Sequence, residues 1–179
     1  MITGAGFLIQ PLNKKTTVAL SHLKMVSTTA QGIFASGDCS INLTNVIIES
    51  SGSSGILVRE QVALSLRRCS IRKSRAMGLF VINSKVIAED VLIQDNRWTG
   101  ICAVSQSRVT LKGSETRVEG NGAGVQNTSS TLSTPAAANS SSGLLFDLKA
   151  CTPADEFWIC KCCSKTTTTY GGHGKFHHQ

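Results

Sequence analysis

The strongest constraint on this sequence is an internal repeat of about 23 residues. A glycine followed by an apolar residue recurs every 22 to 24 residues, in the pairs Gly32-Ile33, Gly55-Ile56, Gly78-Leu79, Gly100-Ile101 and Gly124-Val125. Gly6-Phe7 precedes this series after a slightly longer interval. A period of this length is the signature of a solenoid, in which each unit packs on its neighbours.

Each unit contains three short segments in which apolar residues alternate with other residues. In the unit that begins at Gly55, the alternating pairs are Ile56 and Val58, Leu64 and Leu66, and Cys69 and Ile71. Alternation with period two predicts a strand with one buried face. Because aromatic residues make up only 5% of the chain, aliphatic side chains must fill the core. We therefore predict an all-β fold of about five coils, each with three short strands.

Equivalent residues of successive coils are predicted to stack in columns, because each strand can pair with its counterpart about 4.8 Å away. The two predicted apolar columns are Ile33, Ile56, Leu79, Ile101 and Val125, and Leu23, Val46, Cys69, Val91 and Thr116. A polar column follows at Thr28, Ser51, Ser74, Asn96 and Asn121. We expect these polar side chains to bond to the backbone at a tight corner and to each other. The next glycine would relieve the steric cost of the corner that follows.

These units share a polar residue, a short spacer, a glycine and an alternating apolar pair, as in Ser51 to Val58, Ser74 to Val81 and Asn96 to Val104. The pattern resembles the right-handed parallel β-helix repeat of the pectate-lyase-like superfamily over residues 6 to 127. The resemblance implies a right-handed parallel β-helix. It leaves the activity open, because this scaffold carries lyases, hydrolases, epimerases and non-catalytic binding modules.

Composition divides the chain into three parts. Residues 1–127 carry the repeats and are predicted to form the β-helix. Residues 128–142 are rich in Ser, Thr and Ala and read as a flexible linker. Residues 143–179 form a Cys/His-rich tail whose apolar start, Gly143-Leu144-Leu145-Phe146, could close the open end of the solenoid as an irregular coil or a cap.

The tail holds four of the seven cysteines and three of the four histidines. Within it, Cys160, Cys163, His173 and His177 have the pair spacings of a C2H2 zinc finger. The tail resembles a shortened finger, since nine residues separate the two pairs instead of about twelve. This resemblance implies one structural zinc ion, whose binding would order the tail. The alternative is an unfolded tail, and no cofactor is predicted on the β-helix.

Two arginines and a tryptophan are the predicted binding residues of the coils. Arg75-Ala76 and Arg97-Trp98 should lie one above the other in adjacent coils. An arginine pair beside an exposed tryptophan can hold a sugar, a carboxylate or a partner chain. The alternative is a tryptophan at the edge of a turn that covers the flank of the β-helix.

The coils offer few acidic residues, namely Asp38, Glu49, Glu60, Glu89, Asp90, Asp95, Glu115 and Glu119. Glycoside hydrolysis requires two carboxyl groups near one another. The densest acidic stretch, from Glu89 to Asp95, lies in one coil, and neither neighbouring coil has an aspartate at the matching place. We therefore predict no catalytic residues and interpret these acids as part of a solvated outer surface.

The net charge of +7 comes from basic residues that are scattered along the chain. The densest basic segment, Arg67 to Arg75, lacks the interleaved aromatic residues that nucleic-acid binding favours, so a solvated surface is the preferred interpretation. No apolar run approaches the length of a membrane span. The odd cysteine number and the absence of a signal-peptide pattern in residues 1–10 predict an intracellular protein, cytoplasmic or nuclear.

Three functions remain open from the sequence. The preferred hypothesis is a non-catalytic binding or scaffold module whose β-helix surface holds a protein partner, or a glycan. It resembles the β-helix segments of F-box-type adaptors, some of which also carry a Cys/His-rich region after the coils. The second hypothesis is a polysaccharide-acting lyase or hydrolase. The third is a nucleic-acid-binding protein that uses the basic coils and the tail.

The zinc hypothesis predicts about one zinc ion per chain in the purified protein. Metal analysis after dialysis against metal-free buffer measures it. A content near zero would favour the unfolded tail.

Overall fold

The 23-residue repeat folds into three parallel sheets. The computed structural model describes residues 1–11 and 15–122, and the backbone of the strands at 125–127, 131–133, 157–159 and 166–168. Sheet A contains β1 (Ile2–Thr3), β4 (Lys24–Val26), β7 (Ile47–Glu49), β10 (Ser70–Arg72), β13 (Leu92–Gln94) and β16 (Arg117–Glu119). Sheet B contains β2 (Phe7–Ile9), β5 (Ile33–Ser36), β8 (Ile56–Arg59), β11 (Leu79–Ile82), β14 (Ile101–Val104) and β17 (Val125–Asn127). Sheet C contains β3 (Thr16–Ser21), β6 (Cys39–Thr44), β9 (Ala63–Arg67), β12 (Lys85–Glu89), β15 (Arg108–Lys112) and β18 (Thr131–Ser133).

Each coil contributes one strand to each sheet, and neighbouring strands of a sheet come from successive coils. This confirms the predicted parallel β-helix with three strands per coil. β18 continues sheet C by pairing with β15, and it does so within the segment predicted to be a linker. Farther along, β19 (Phe157–Ile159) and β20 (Thr166–Thr168) form a separate antiparallel pair.

The two predicted apolar columns are confirmed by the strand register. Ile56 pairs with Ile33 on one side and with Leu79 on the other, and the column continues through Ile101 to Val125. In the second column, the backbone N–H of the residue after each member donates to the carbonyl of the preceding coil's member, as Ser70 N–H does to Val46 O at 2.9 Å. The side chains of Ile33, Ile56, Leu79 and Ile101 are fully buried. Burial of each such aliphatic side chain contributes about 1.5–3 kcal/mol.

The predicted polar column lies at the corner between sheets A and B, and all five of its members are buried. The amide oxygen of Asn96 accepts from Ser74 N–H at 3.0 Å, and that of Asn121 accepts from Asn96 N–H at 3.1 Å. The side-chain amide of Asn96 also donates to Asn121 Oδ1 at 2.8 Å. The two asparagines therefore satisfy backbone groups at the corner, whereas the buried hydroxyl groups of Ser51 and Ser74 have no hydrogen-bond partner among the described residues.

The glycine of each unit is required for space. A Cβ on Gly78 would lie 2.5 Å from Ile93 Cγ2 and 2.7 Å from both Asn96 Nδ2 and Gly100 O. The φ of Gly78 lies outside the left-handed region, so close packing, rather than an unusual backbone conformation, excludes a side chain here. The left-handed conformation occurs earlier in the same corner, with φ between 54° and 80° at Gly4, Ser27, Ser50, Lys73, Asp95 and Gly120.

Replacement of Asn96, a buried residue of the polar column, tests how much the corner contributes to stability. Asn96→Ala removes the acceptor of Ser74 N–H and the side-chain donor to Asn121, so we expect it to lower the free energy of unfolding by about 1–3 kcal/mol. Asn42→Ala, at an exposed position of sheet C, is the matched control and should change it by less than about 0.5 kcal/mol. Urea unfolding followed by circular dichroism measures both. Equal effects of the two substitutions would contradict a stabilising role of the polar column.

Candidate functional site

The corner between sheets A and B brings the predicted arginines together. Arg75 N–H donates to Ser51 O, and Arg97 N–H donates to Ser74 O, each at 2.9 Å. These bonds place the two residues at the same position of adjacent coils, about 4.8 Å apart along the stack. Because these hydrogen bonds hold the backbone of both arginines to the adjacent coil, the Cα atoms of the two residues are fixed in position.

Both arginines are exposed, and neither makes an ion pair with any residue of the part that the structure describes. Glycines occupy the same corner position in the flanking coils, since Gly52 N–H donates to Thr28 O and Gly122 N–H to Asn96 O. The arginine pair therefore has no bulky side chain above or below it in this column. This arrangement leaves both guanidinium groups available to an outside ligand.

Trp98 follows Arg97 but is half-buried, and it packs against the flank of the β-helix. Its backbone N–H donates to Ala76 O at 3.1 Å, so it lies directly over the alanine that follows Arg75. The structure thus brings all three predicted residues to one corner. Trp98 forms the wall of that corner on the side of sheet B.

On the flank of the β-helix, Trp98 contacts an apolar cluster that lies outside the coil interior. It contains the buried residues Phe34, Leu57, Met77, Phe80 and Cys102. Cys102 lies on an outward position of β14, but its side chain is buried, with 1% exposed. Alternation alone could not show this, because an outward position is exposed only if nothing packs against it.

A second charged group on this side of the molecule is centred on Glu49 in sheet A. Its carboxylate pairs with Arg72 at 3.2 Å, Lys24 at 3.4 Å and Lys73 at 3.6 Å. Burial raises the pKa of Glu49, but the hydrogen bond from Lys24 and the charge of Arg72 outweigh it and leave the pKa lowered. Sequence reasoning missed this group, although the 23-residue spacing of Glu49 and Arg72 was a signal for it.

Several other acids of the coils are held by neighbouring residues. Asp38 pairs with Lys15, and Glu89 pairs with Arg67. Glu60 accepts from Ser36 and pairs with Arg59. The carboxylate of Asp90 accepts from Glu115 N–H at 3.4 Å. These carboxylates therefore have structural partners between adjacent coils.

The buried cysteines have the properties of core residues. Cys69 lies in the main core, as predicted, and Cys39 is buried as well. Burial raises the pKa of both thiols, with the nearby charge of Asp38 adding to the effect at Cys39. Protonated, buried thiols are poor nucleophiles. Cys39 and Cys69 are free thiols.

The predicted zinc ligands Cys160, Cys163, His173 and His177 lie outside the described residues. In the sequence, β19 ends directly before Cys160 and β20 begins after Cys163. Among the residues that the structure describes, no group of three or more His, Cys, Asp or Glu could hold a metal ion. The described part also has no helix long and apolar enough to cross a membrane.

One comparison with known proteins gave a match. The family model described as "Right handed beta helix region" matches residues 31–147, about two thirds of the chain. No curated protein and no solved structure gave a significant match. The match includes the corner residues and ends twenty residues beyond the segment predicted to form the coils.

The Glu49 group predicts a pH-dependent contribution to stability. Its lowered pKa in the folded chain means that the carboxylate stabilises the fold above its ordinary pKa, and that this contribution is lost as the pH falls through the lowered value. Glu49→Gln should therefore lower the free energy of unfolding at pH 7 by up to about 1 kcal/mol. The difference from the unsubstituted protein should vanish once the pH is well below 4.5, the ordinary value.

Glu115→Gln is the control, because this exposed carboxylate forms no ion pair in the described coils. Urea unfolding at a series of pH values measures both variants. A Glu49→Gln effect that is the same at acid and neutral pH would show that the ion pairs contribute nothing.

Proposed function

The chain belongs to the right-handed β-helix family, and we propose that it is a non-catalytic binding module for an acidic protein partner. The binding residues would be Arg75 and Arg97, with Trp98 as an apolar contact beside them. The observation that carries this proposal is the stacking of two exposed arginines on a hydrogen-bonded corner, where neither forms an ion pair with a described residue.

The chemistry of the corner favours carboxylate groups as the ligand. A guanidinium group binds a carboxylate through two parallel hydrogen bonds, and it retains its charge at any physiological pH. Two such groups one strand spacing apart suit a segment that presents successive acidic side chains. Since their backbones are held in place, less conformational entropy is lost on binding than for arginines on a loose loop.

The charge distribution supports the same partner. The coil from residue 55 to residue 77 contains six basic residues and one acid, Glu60. Arg67, Arg72 and Lys73 in this coil are partly neutralised by Glu89 and Glu49, whereas Arg75 is not. A positive field of this kind speeds the encounter with an acidic partner.

The alternative of a polysaccharide-acting enzyme has less support. It would need two carboxyl groups free to act on one glycosidic bond. Asp38, Glu49, Glu60 and Glu89 are instead paired with basic residues. An acidic glycan remains a ligand that the same arginines could bind without turnover. Nucleic acid is less favoured, because base stacking needs exposed aromatic residues and Trp98 packs against the flank.

We also propose an intracellular setting and a structural zinc ion in the tail. Cys39 and Cys69 of the described coils are free thiols, which agrees with a reducing compartment. Four protein ligands at Cys160, Cys163, His173 and His177 would leave no open position for a catalytic water.

Binding of an acidic peptide tests the proposed function. The probe is a fluorescein-labelled peptide of ten residues that alternates Glu and Ser, followed by fluorescence anisotropy. The double substitution Arg75→Glu/Arg97→Glu should weaken binding at least about tenfold, because it replaces both attractive contacts with repulsion. Arg108→Glu, at an exposed position of sheet C, makes the same charge change elsewhere and should have an effect below about twofold.

The same measurement with polygalacturonate and with single-stranded DNA separates the alternatives. Tighter binding of either ligand than of the peptide would overturn the choice of partner. Turnover of polygalacturonate in the presence of Ca²⁺ would overturn the non-catalytic assignment. Equal losses for the double variant and for Arg108→Glu would show that only the overall charge matters.

A further inference from the structure

The outer face of sheet B differs from the other two outer faces of the β-helix. Its central outward residues, Leu8, Phe34, Leu57, Phe80 and Cys102, are in register from one coil to the next. Leu57 and Phe80 are fully buried and Cys102 is 1% exposed, although all three point away from the coil interior. On sheet C, by contrast, the outward Ile87 is 47% exposed.

The described residues around this face only border it. Met77 and Trp98 approach it from the corner, while Ile82 and Val104 lie at the ends of its own strands. The guanidinium group of Arg59 lies over the ring of Phe34 at 5.1 Å from the centroid. Phe80, Trp98 and Cys102 each make a further polar or ring interaction in the structure. Complete burial of a flat outward column therefore requires a covering element besides these neighbours.

We propose that the hairpin formed by β19 and β20 packs on the outer face of sheet B and covers Leu57, Phe80 and Cys102. The strand β19 consists of three large apolar residues, Phe157, Trp158 and Ile159. A two-stranded hairpin is marginally stable in water by itself and needs an apolar surface to pack against. Packing of the hairpin on sheet B would bury the apolar surfaces of both.

Two observations favour the hairpin over other segments of the chain. The family match ends at residue 147, so its range includes Gly143-Leu144-Leu145-Phe146 and excludes the hairpin. The chain between Ser133 of β18 and Phe157 could span about 80 Å if extended. The column from Phe34 to Cys102 extends over four strands, about 14 Å, so the hairpin can reach all of it.

The rate of alkylation of each cysteine in the full chain tests this packing. Iodoacetamide labelling followed by peptide mass spectrometry gives one rate per cysteine. In the unsubstituted protein, Cys102 should react slowly, as Cys69 does in the core. The triple variant Phe157→Ser/Trp158→Ser/Ile159→Ser should raise the rate at Cys102 about tenfold or more and leave the rate at Cys69 unchanged.

A variant of the preceding apolar run provides the matched control. Leu144→Ser/Leu145→Ser/Phe146→Ser changes the same number of apolar residues and should not raise the rate at Cys102. An unchanged rate at Cys102 in the hairpin variant, or an equal rise in the control variant, would overturn the proposal. A rise at Cys69 as well as at Cys102 would also overturn it, because it would report general loosening of the coils.

A photo-crosslinker identifies the covering segment directly. Benzoylphenylalanine in place of Phe34, at the rim of the face, should crosslink to a peptide that contains residues 157–168. The same probe in place of Ile87 on sheet C should give no such product. Crosslinks between two molecules, or to residues 143–147 only, would show that another element covers this face.

Discussion

The structure depends on one constraint, the parallel hydrogen bonding of each residue to its counterpart one coil away. The strand register carries Ile33 onto Ile56, Leu79, Ile101 and Val125 without a slip. In such a stack, a side chain has a near copy of itself above and below. The constraint therefore favours residues that pack well against copies of themselves. These are aliphatic residues inside the coil and amide or hydroxyl residues at the corner.

The same constraint explains the electrostatics of the surface. Like charges at one position of adjacent coils repel, so a stable stack alternates charges or separates them. Glu49 and Arg72 face each other in neighbouring coils, and so do Arg67 and Glu89. Arg75 and Arg97 depart from this pattern at the corner, as Lys85 and Arg108 do in sheet C. Arg75 and Arg97 differ from the Lys85–Arg108 pair in lying at the corner beside Trp98, and a local conflict of this kind is typical of functional sites.

Much of the fold could be predicted from the sequence because the spacing of a few residues indicates the repeat. Gly55, Gly78 and Gly100 mark the coils, and the alternating residues between them give the inward faces. The polar column was predictable for the same reason. The burial of Cys102 was not, since it depends on packing outside the coil. Period-two alternation reports which side of a strand a residue is on, and carries no information about a later segment that packs there.

The candidate site was only partly predictable. The stacking of Arg75 and Arg97 followed from the period, but the side on which Trp98 packs did not. The Glu49 group joins Glu49 to Lys24 of the preceding coil and to Arg72 and Lys73 of the following one. Its geometry depends on rotamers of long side chains that a repeat pattern does not fix. The tail has no repeat, so its predicted zinc ligands rest on spacing alone.

Coil-to-coil bonding also sets which changes of length this fold can accept. Each strand of sheets A, B and C is bonded to its counterparts in the coils before and after it. Duplication of one whole unit would thus lengthen the solenoid and leave every other contact intact. One extra residue inside a strand such as β9 would instead turn the following side chains from the core to the solvent. Genes for such proteins can therefore gain or lose complete turns readily, while the spacing within a turn is held almost constant.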